Sequence, residues 1–212
     1  MTSTILGTGS SLPSNIVTNT QLSQIVNTND EWIRDRTGIH ERRIAVTENT
    51  TTLSIDAAKK ALEASGILPI DLDLIIVATL TPNGSMPSTA CKVQAAIGAT
   101  KSMCYDINAA CTGFIYGIQT AHAFITSGMI KYALIIGAET LSKIIDWTDR
   151  STCVLFGDGA GAAVIGSSEK GIISVSHGSH GLKGNVLTCG NRPLINPFTK
   201  SQPDNQYVEM NG

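Results

Sequence analysis

DINAACTGFIYG, residues 106–117, lies where the hydrophobic pattern of the chain changes. The preceding SMCYDI has the length and apolar character of a short buried strand. The following residues share one face of a predicted helix: Phe114, Ile118, Ala121 and Ile125. Cys111 is therefore predicted to lie where a strand stops and a helix begins, and the free N–H groups and the helix dipole favour its thiolate there. This position predicts a nucleophile for covalent catalysis, whereas the alternative is a buried cysteine that acts as a small hydrophobe.

Working outward from this stretch, strands and helices alternate along the chain. GTGSS near the start is interpreted as a turn after a strand, and Thr28 or Asn29 as the cap of a short helix. TTTLSIDAAKKALEASGI predicts an amphipathic helix that Gly66 ends, and STACKVQAAIGA predicts a helix that Gly98 closes. TCVLFGDGAGAAVIGSSE is interpreted as two strands around a glycine-rich bend, and GIISVSHGSH as the start of another strand. The alternation predicts an α/β fold with a mostly parallel sheet and helices on both faces.

Composition narrows the class of protein. The 212 residues are 42% hydrophobic and 15% charged, with a formal net charge of −2, which gives no overall signal for nucleic-acid binding. The five cysteines are odd in number and match no zinc framework, so a reducing cytoplasmic setting is expected, with no metal. No signal peptide and no apolar run long enough to span a bilayer is present, so no membrane association is expected.

Five motifs occur in an order and at a spacing that resemble one family. They are GTGSSLP, NDEWIRDRTGIHERR, DINAACTGFIYG, GAETLSK and DRSTCVLFGDGAGAAVI. Together they resemble β-ketoacyl-[acyl-carrier-protein] synthase III, of the thiolase superfamily. The resemblance implies a thiolase-like fold with layers α-β-α-β-α. Residues 1–168 would form its first half, which carries the nucleophilic cysteine, and residues 169–212 the opening of its second half.

The resemblance also implies a reaction. Cys111 would accept an acyl group from acyl-CoA, and malonyl-[acyl-carrier protein] would lose carbon dioxide and attack the thioester, giving 3-ketoacyl-[acyl-carrier protein] at the start of fatty-acid synthesis. No cofactor is implied, and the partners are acyl-CoA, the acyl carrier protein and a second copy in a homodimer. The residues that match the entrance for CoA and the carrier protein are Thr28, Trp32, Arg36 and Arg150. Those that match the acyl pocket are Met86, which reaches across the dimer, Phe156, Met210 and Gly212.

Each of these residues also has a simpler interpretation. An isolated tryptophan on a polar helix often packs without binding a ligand, and surface arginines often pair with neighbouring aspartates. GTGSS lacks the third glycine of a dinucleotide-binding motif, so it does not indicate NAD binding. GDGAGAA favours a strand bend or tight backbone packing over phosphate binding.

One departure from the family affects the expected activity. The family uses a histidine and an asparagine in H-Q-A-N and G-N-T-S motifs, and neither motif occurs in the chain. The histidines that do occur are interpreted as surface or packing residues: His40, His122, His177 and His180. We therefore expect a piece of a longer protein, shortened by cloning, proteolysis or gene truncation, that is inactive alone. The alternatives are another thiolase-superfamily enzyme that condenses or transfers acyl groups from acyl-CoA, or a noncatalytic truncated dimer partner.

Overall fold

A computed structural model describes residues 2–190, 195–197, 199–200 and 206–210. In chain order the elements are β1 Thr2–Ser11, β2 Ile16–Thr18, α1 Asn19–Leu22, α2 Asp30–Thr37, β3 Glu41–Arg43, α3 Thr50–Ser65, β4 Leu74–Ala78, α4 Thr89–Ile97, β5 Met103–Ile107, α5 Gly113–Thr126, β6 Tyr132–Thr140, α6 Arg150–Cys153, β7 Asp158–Ser168, β8 Leu187–Cys189, β9 Ile195–Asn196, β10 Thr199–Lys200 and β11 Val208–Met210. Short 3-10 turns connect several of them.

These elements form two compact units that interleave along the chain. The sheet unit combines Met1–Asn15, Ala45–Thr140 and Asp158–Ser176, and the Trp32 unit combines Ile16–Ile44, Leu141–Gly157 and His177–Gly212. The predicted division at residue 168 concerns the two halves of a thiolase-like fold, which is a different kind of boundary, and it stays a prediction.

The sheet unit is built on a five-stranded sheet in the order β1-β7-β6-β4-β5. Strand β4 runs parallel to β5 and β6, whereas β7 runs antiparallel to β6 and β1. Because β1 and β6 both run antiparallel to β7, they share one direction with β4 and β5, so four of the five strands of this sheet run parallel, as predicted, and β7 alone among them runs the other way. Local hydrophobic patterns do not separate a parallel strand from an antiparallel one that is buried on both faces, as β7 is here.

Side chains that alternate along the sheet bury its two faces under helices. On β4, Ile75 and Val77 pack in a cluster with α3 and α4, while Leu74 and Ile76 pack in a second cluster with α5. This period of two residues is the physical basis of a sheet covered on both faces. It confirms the predicted helices on both sides of the sheet.

The glycines of GTGSS lie inside β1 and not in a turn as predicted. A Cβ atom on Gly7 would lie 2.4 Å from the backbone nitrogen of Ser65, and one on Gly9 would lie 2.4 Å from the carbonyl oxygen of Ala57. The glycines are therefore required because α3 packs directly on the strand backbone. The sequence pattern alone does not distinguish this close approach from a turn.

Two further predictions are wrong. TCVLFGDGAGAAVIGSSE does not form two strands, because α6 ends within it and a single long strand, β7, contains three of its four glycines, Gly159, Gly161 and Gly166. Hydrogen bonds to β1 on one side and β6 on the other hold that strand extended in spite of its glycines. In GIISVSHGSH no strand forms within the described residues; Ile172 bonds to Ser3, but Ile173 is 99% exposed and has no buried face to join.

The Trp32 unit is made of short elements around one apolar cluster. Strand β2 pairs with β3, and β11 pairs with β8, in antiparallel two-stranded sheets. The cluster centres on Leu22, Ile33, Ile145, Cys153, Val154 and Val208. The predicted caps are confirmed here and in the sheet unit: Asn29 accepts a hydrogen bond at the start of α2, and Gly66 and Gly98 end α3 and α4 with positive φ angles.

Candidate functional site

Cys111 lies in a turn between β5 and α5, as the change of hydrophobic period predicts. Strand β5 ends at Ile107, a 3-10 turn spans Ala110–Thr112, and α5 begins at Gly113. Cys111 is exposed there. The preceding residue, Ala110, has a φ of 44°, which is strained for a residue with a side chain. We call residues 108–112 the Cys111 turn.

Close packing of α5 on the sheet sets the place of this turn. A Cβ atom on Gly113 would lie 2.9 Å from the Cβ atom of Ala78, and one on Gly117 would lie 2.7 Å from a methyl group of Ile135. The absence of side chains at both positions brings the first turns of the helix against β4 and β6. Thr112, the N-cap residue, makes no side-chain capping bond, so its side chain does not occupy the N–H groups of the first helical turn.

Three of the other cysteines have raised pKa values. Burial raises the pKa of Cys104 to about 11, and burial also raises the pKa of Cys153 and of Cys189. A raised pKa keeps a cysteine in the thiol form, which is the weaker nucleophile. These three cysteines are therefore poor candidates for a covalent step.

The segment that carries Met86 follows β4 at the same edge of the sheet. We call residues 82–88 the Met86 loop; Met86 itself is 88% exposed. Just before this loop, the Glu139 carboxylate accepts hydrogen bonds from the Leu80 N–H at 2.8 Å and from the hydroxyls of Thr79 and Thr81. Burial raises the pKa of Glu139, and the hydrogen bonds from these residues oppose that rise.

The sequence motifs predict no role for Glu139. The signal was present, because a single carboxylate at the end of the apolar run YALIIGAET is unusual for a buried strand. What the sequence did not supply was the set of donors from β4 that meets it.

In the Trp32 unit, three of the predicted entrance residues come together. Helix α2 begins at the Asn29 cap, whose side chain accepts a hydrogen bond from the Trp32 N–H at 2.8 Å. The guanidinium carbon of Arg36 lies 5.0 Å from the centre of the indole ring, and that of Arg150 lies 4.5 Å from it. Both distances are within the range of cation–π interactions. Arg150 also donates a hydrogen bond to the carbonyl of Asn27 at 3.3 Å.

The remaining predicted residues of this unit differ in their surroundings, and one of them lies outside the described residues. Trp32 and Phe156 are both partly buried against the apolar cluster of the Trp32 unit. The hydroxyl oxygen of Thr28 is buried without a hydrogen-bond partner, an unusual state for a polar atom. Met210 is exposed at the end of β11, and Gly212 lies outside the described residues.

The four histidines occupy different places. His122 lies on α5, and its Nδ1 is 2.9 Å from the hydroxyl oxygen of the fully buried Ser3, so it joins the helix to β1. His40, His177 and His180 are exposed. Across the part of the chain that the structure describes, no group of three or more His, Cys, Asp and Glu side chains is arranged to hold a metal ion. In that same part, no helix is both long and apolar enough to cross a membrane.

Comparison with known proteins agrees with the motifs. A family described as 3-oxoacyl-[acyl-carrier-protein (ACP)] synthase III matches residues 105–181, which include the Cys111 turn. The β-ketoacyl-[acyl-carrier-protein] synthase III of Clostridium botulinum (strain Okra / Type B1) is 54% identical over 211 residues, covering 98% of this chain and 65% of that protein.

Solved structures give the same result. The 3-oxoacyl-[acyl-carrier-protein] synthase III of Aquifex aeolicus VF5 is 47% identical with a TM-score of 0.88, covering 98% of this chain and 64% of that one. The synthase III of Thermus thermophilus is 40% identical with a TM-score of 0.89, covering 99% of this chain and 65% of that one. The resemblance to synthase III and the thiolase-like α/β fold are therefore confirmed. The chain spans just under two thirds, 65%, of the first relative's length.

Proposed function

We propose that these 212 residues are part of an acyltransferase of the synthase III type, which starts fatty-acid synthesis by joining an acyl group to malonyl-[acyl-carrier protein]. The observation that carries the proposal is the exposed Cys111 in the turn before α5, within a sequence 54% identical to a synthase III. A thiol at a helix N-terminus is a suitable acyl acceptor, because the N–H groups there can stabilise the oxyanion that forms when the thiol adds to a carbonyl.

The proposed reaction has two steps. The Cys111 thiolate attacks the carbonyl carbon of acyl-CoA, the CoA thiolate leaves, and an enzyme thioester remains. Malonyl-[acyl-carrier protein] then loses carbon dioxide, its carbanion attacks that thioester, and the Cys111 thiolate leaves as 3-ketoacyl-[acyl-carrier protein] forms. A histidine and an asparagine would stabilise the carbanion, but the chain has neither the H-Q-A-N nor the G-N-T-S motif that holds them in the family. We therefore propose that residues 1–212 alone do not complete the second step.

We assign the entrance for CoA and the carrier protein to Thr28, Trp32, Arg36 and Arg150. The support is the indole ring of Trp32 with the guanidinium carbons of Arg36 and Arg150 at 5.0 and 4.5 Å from its centre, a group that combines an aromatic surface for a purine with two charges for phosphates. The buried, unpaired hydroxyl of Thr28 adds a polar group that lacks a protein partner. We assign the acyl pocket to Met86, Phe156, Met210 and Gly212 on the resemblance alone.

We further propose a cytoplasmic homodimer that needs no cofactor. Strand β5 is at the edge of the five-stranded sheet, and an unpaired edge favours association with another strand. All five cysteines are free thiols, which supports a reducing compartment.

The test is a condensation assay with the full-length protein that contains these residues. With acetyl-CoA and malonyl-[acyl-carrier protein] it should release carbon dioxide and form the 3-ketoacyl product, and mass spectrometry should find the acyl group on Cys111. Condensation onto another acyl-CoA in place of the malonyl carrier protein would favour a different thiolase-superfamily enzyme. A protein that neither acylates Cys111 nor condenses would overturn the proposal and favour the noncatalytic partner. The 212-residue chain, assayed in parallel, should form no ketoacyl product.

A further inference from the structure

The Met86 loop combines an exposed tip with firmly bonded ends. Met86 is 88% exposed, so it contributes little to the core of the sheet unit. Exposed loop tips usually lack fixed partners on either side. Here, however, side chains from three other elements bond to the segment from Thr79 to Ala90.

Glu139 holds the first end of the segment. It accepts hydrogen bonds from the Leu80 N–H at 2.8 Å, from the Thr79 hydroxyl at 3.2 Å, and from the Thr81 hydroxyl. The two hydroxyls are already engaged as acceptors: that of Thr79 accepts from the Thr81 N–H at 3.1 Å, and that of Thr81 accepts from the Thr140 N–H at 2.9 Å. Each hydroxyl therefore donates its hydrogen to the Glu139 carboxylate. A glutamine at this position would have only one oxygen to accept these hydrogen bonds, whereas the carboxylate has two.

Asp106, on β5, and Thr51, on α3, hold the remainder of the segment. The two carboxylate oxygens of Asp106 accept from the Thr89 N–H at 2.7 Å and the Ala90 N–H at 2.8 Å, at the start of α4. The side-chain oxygen of Asn83 accepts from the N–H and from the hydroxyl of Thr51, both at 2.9 Å. The two bonds to Asp106 are charge-assisted and belong to the stronger class of hydrogen bond, whereas those between Asn83 and Thr51 join neutral groups; together with the Glu139 bonds they fix the ends of the loop while its tip stays exposed.

We propose that Glu139 and Asp106 are positioning residues that fix the Met86 loop in advance, so that Met86 enters the acyl pocket of a second copy of the chain at a set depth and limits the acyl group that fits. This inference rests on the proposed function. A loop that is already ordered loses little conformational entropy when its tip inserts, and a fixed wall discriminates acyl lengths better than a mobile one. Both carboxylates therefore act on acyl-chain selectivity through Met86.

The test compares acyl-chain selectivity in the full-length protein, measured as the ratio of kcat/KM for acetyl-CoA to that for hexanoyl-CoA. Met86→Ala should lower this ratio roughly fivefold, and Glu139→Gln and Asp106→Asn should lower it in the same direction by up to the same factor. In the Met86→Ala background, Glu139→Gln should cause no further change, since the two residues act through the same wall. Hydrogen exchange at the amides of Leu80 and Ala90 should become faster in the corresponding variants.

Asp73→Asn is the matched control. Asp73 accepts hydrogen bonds from the N–H groups of Lys131 at 2.7 Å and Tyr132 at 3.0 Å. It therefore bonds to two backbone N–H groups as Asp106 does, but at the opposite ends of the strands, where β4 and β6 begin. Its replacement should lower stability without changing the selectivity ratio. If Glu139→Gln does not fold, Asp106→Asn carries the test, because it releases the other end of the same loop.

The outcomes separate this inference from the proposed function. An active parent enzyme whose ratio is unchanged in both carboxylate variants would overturn the inference alone. The same holds if the effects of Glu139→Gln and Met86→Ala simply add, or if Asp73→Asn changes the ratio as much. A parent enzyme that forms no 3-ketoacyl product would instead overturn the proposed function, on which the inference depends.

Discussion

The Cys111 turn and the Met86 loop follow neighbouring parallel strands and leave the sheet at the same edge, yet they are held in different ways. Side-chain carboxylates bond to both ends of the Met86 loop. The Cys111 turn depends instead on backbone shape, with a strained Ala110 and two glycines that bring α5 against the sheet. Its side-chain bonds are few, and the one from the Ala110 N–H to Asn108 is long, at 3.5 Å.

The difference shows that an exposed side chain can be placed in two ways. A loop that is held by charged hydrogen bonds should be sensitive to the loss of one carboxylate. A turn that is held by the packing of the helix behind it should tolerate changes to its own polar side chains. The following predictions test that contrast, from the largest expected effect to the smallest.

The largest effect should come from Cys111 itself. In the full-length enzyme, Cys111→Ser should reduce condensation by a factor on the order of 1,000 or more, because the covalent step loses its nucleophile. Met86→Ala should leave acylation of the cysteine intact and change mainly the acyl preference. Rates of product formation and intact-protein mass measure the two effects.

Cys189→Ser is the control for that experiment, since Cys189 is the other exposed cysteine. Its replacement should leave condensation unchanged. If Cys111→Ser retained most of the condensation activity, Cys111 would not be the nucleophile, and the proposed difference in role between Cys111 and Met86 would be contradicted.

The next largest effect should be on the free energy of unfolding, which variants at the Met86 loop and at the Cys111 turn should change by different amounts. Asp106→Asn should lower the free energy of unfolding by about 1–2 kcal/mol, because it weakens two charge-assisted hydrogen bonds at the start of α4. Asn108→Ala, in the Cys111 turn, should cost less than about 0.5 kcal/mol, since its hydrogen bond is long and exposed. Urea unfolding of both variants checks the difference, and equal losses would contradict it.

The smallest effect concerns the pH dependence of stability. Burial raises the pKa of Glu139 above its ordinary value of 4.5. At a pH between 4.5 and the raised pKa, Glu139 keeps a proton in the folded chain that it has released in the unfolded chain. The free energy of unfolding should therefore decrease as the pH rises through this range. The contribution is fully present below 4.5 and is lost once the pH passes the raised pKa. Glu139→Gln should remove this decrease, as measured by denaturant unfolding from about pH 4 to about pH 8.

Glu48→Gln provides the opposite case in the same sheet unit. Hydrogen bonds, first of all from the Ser14 N–H, lower the pKa of Glu48 to about 2. Its contribution to stability is present above the ordinary value of 4.5 and is lost as the pH falls toward 2. This variant should therefore change the acid side of the pH profile and leave the decrease caused by Glu139 in place. A profile of Glu139→Gln that matched the parent chain would contradict the assignment.

The sequence was most informative where the controlling interaction is local. The cap at Asn29, the ends of α3 and α4 at Gly66 and Gly98, and the junction at Cys111 all depend on residues within a turn or two of each other. Such signals can be read from spacing alone, because the hydrogen bonds that satisfy a helix end come from its own neighbours. The order and spacing of the motifs likewise indicate the family resemblance without any tertiary information.

Tertiary structure alone decided the features that join distant parts of the chain. It placed β7 antiparallel between β1 and β6, put Gly7 and Gly9 inside a strand under α3, and brought Glu139 to the donors that follow β4. Strand direction, backbone approach and the partner of a buried carboxylate depend on which segments meet across the fold. A local hydrophobic pattern does not encode which distant segments meet, so the sequence predicts the position of Cys111 between a strand and a helix but not the hydrogen bonds that Glu139 accepts.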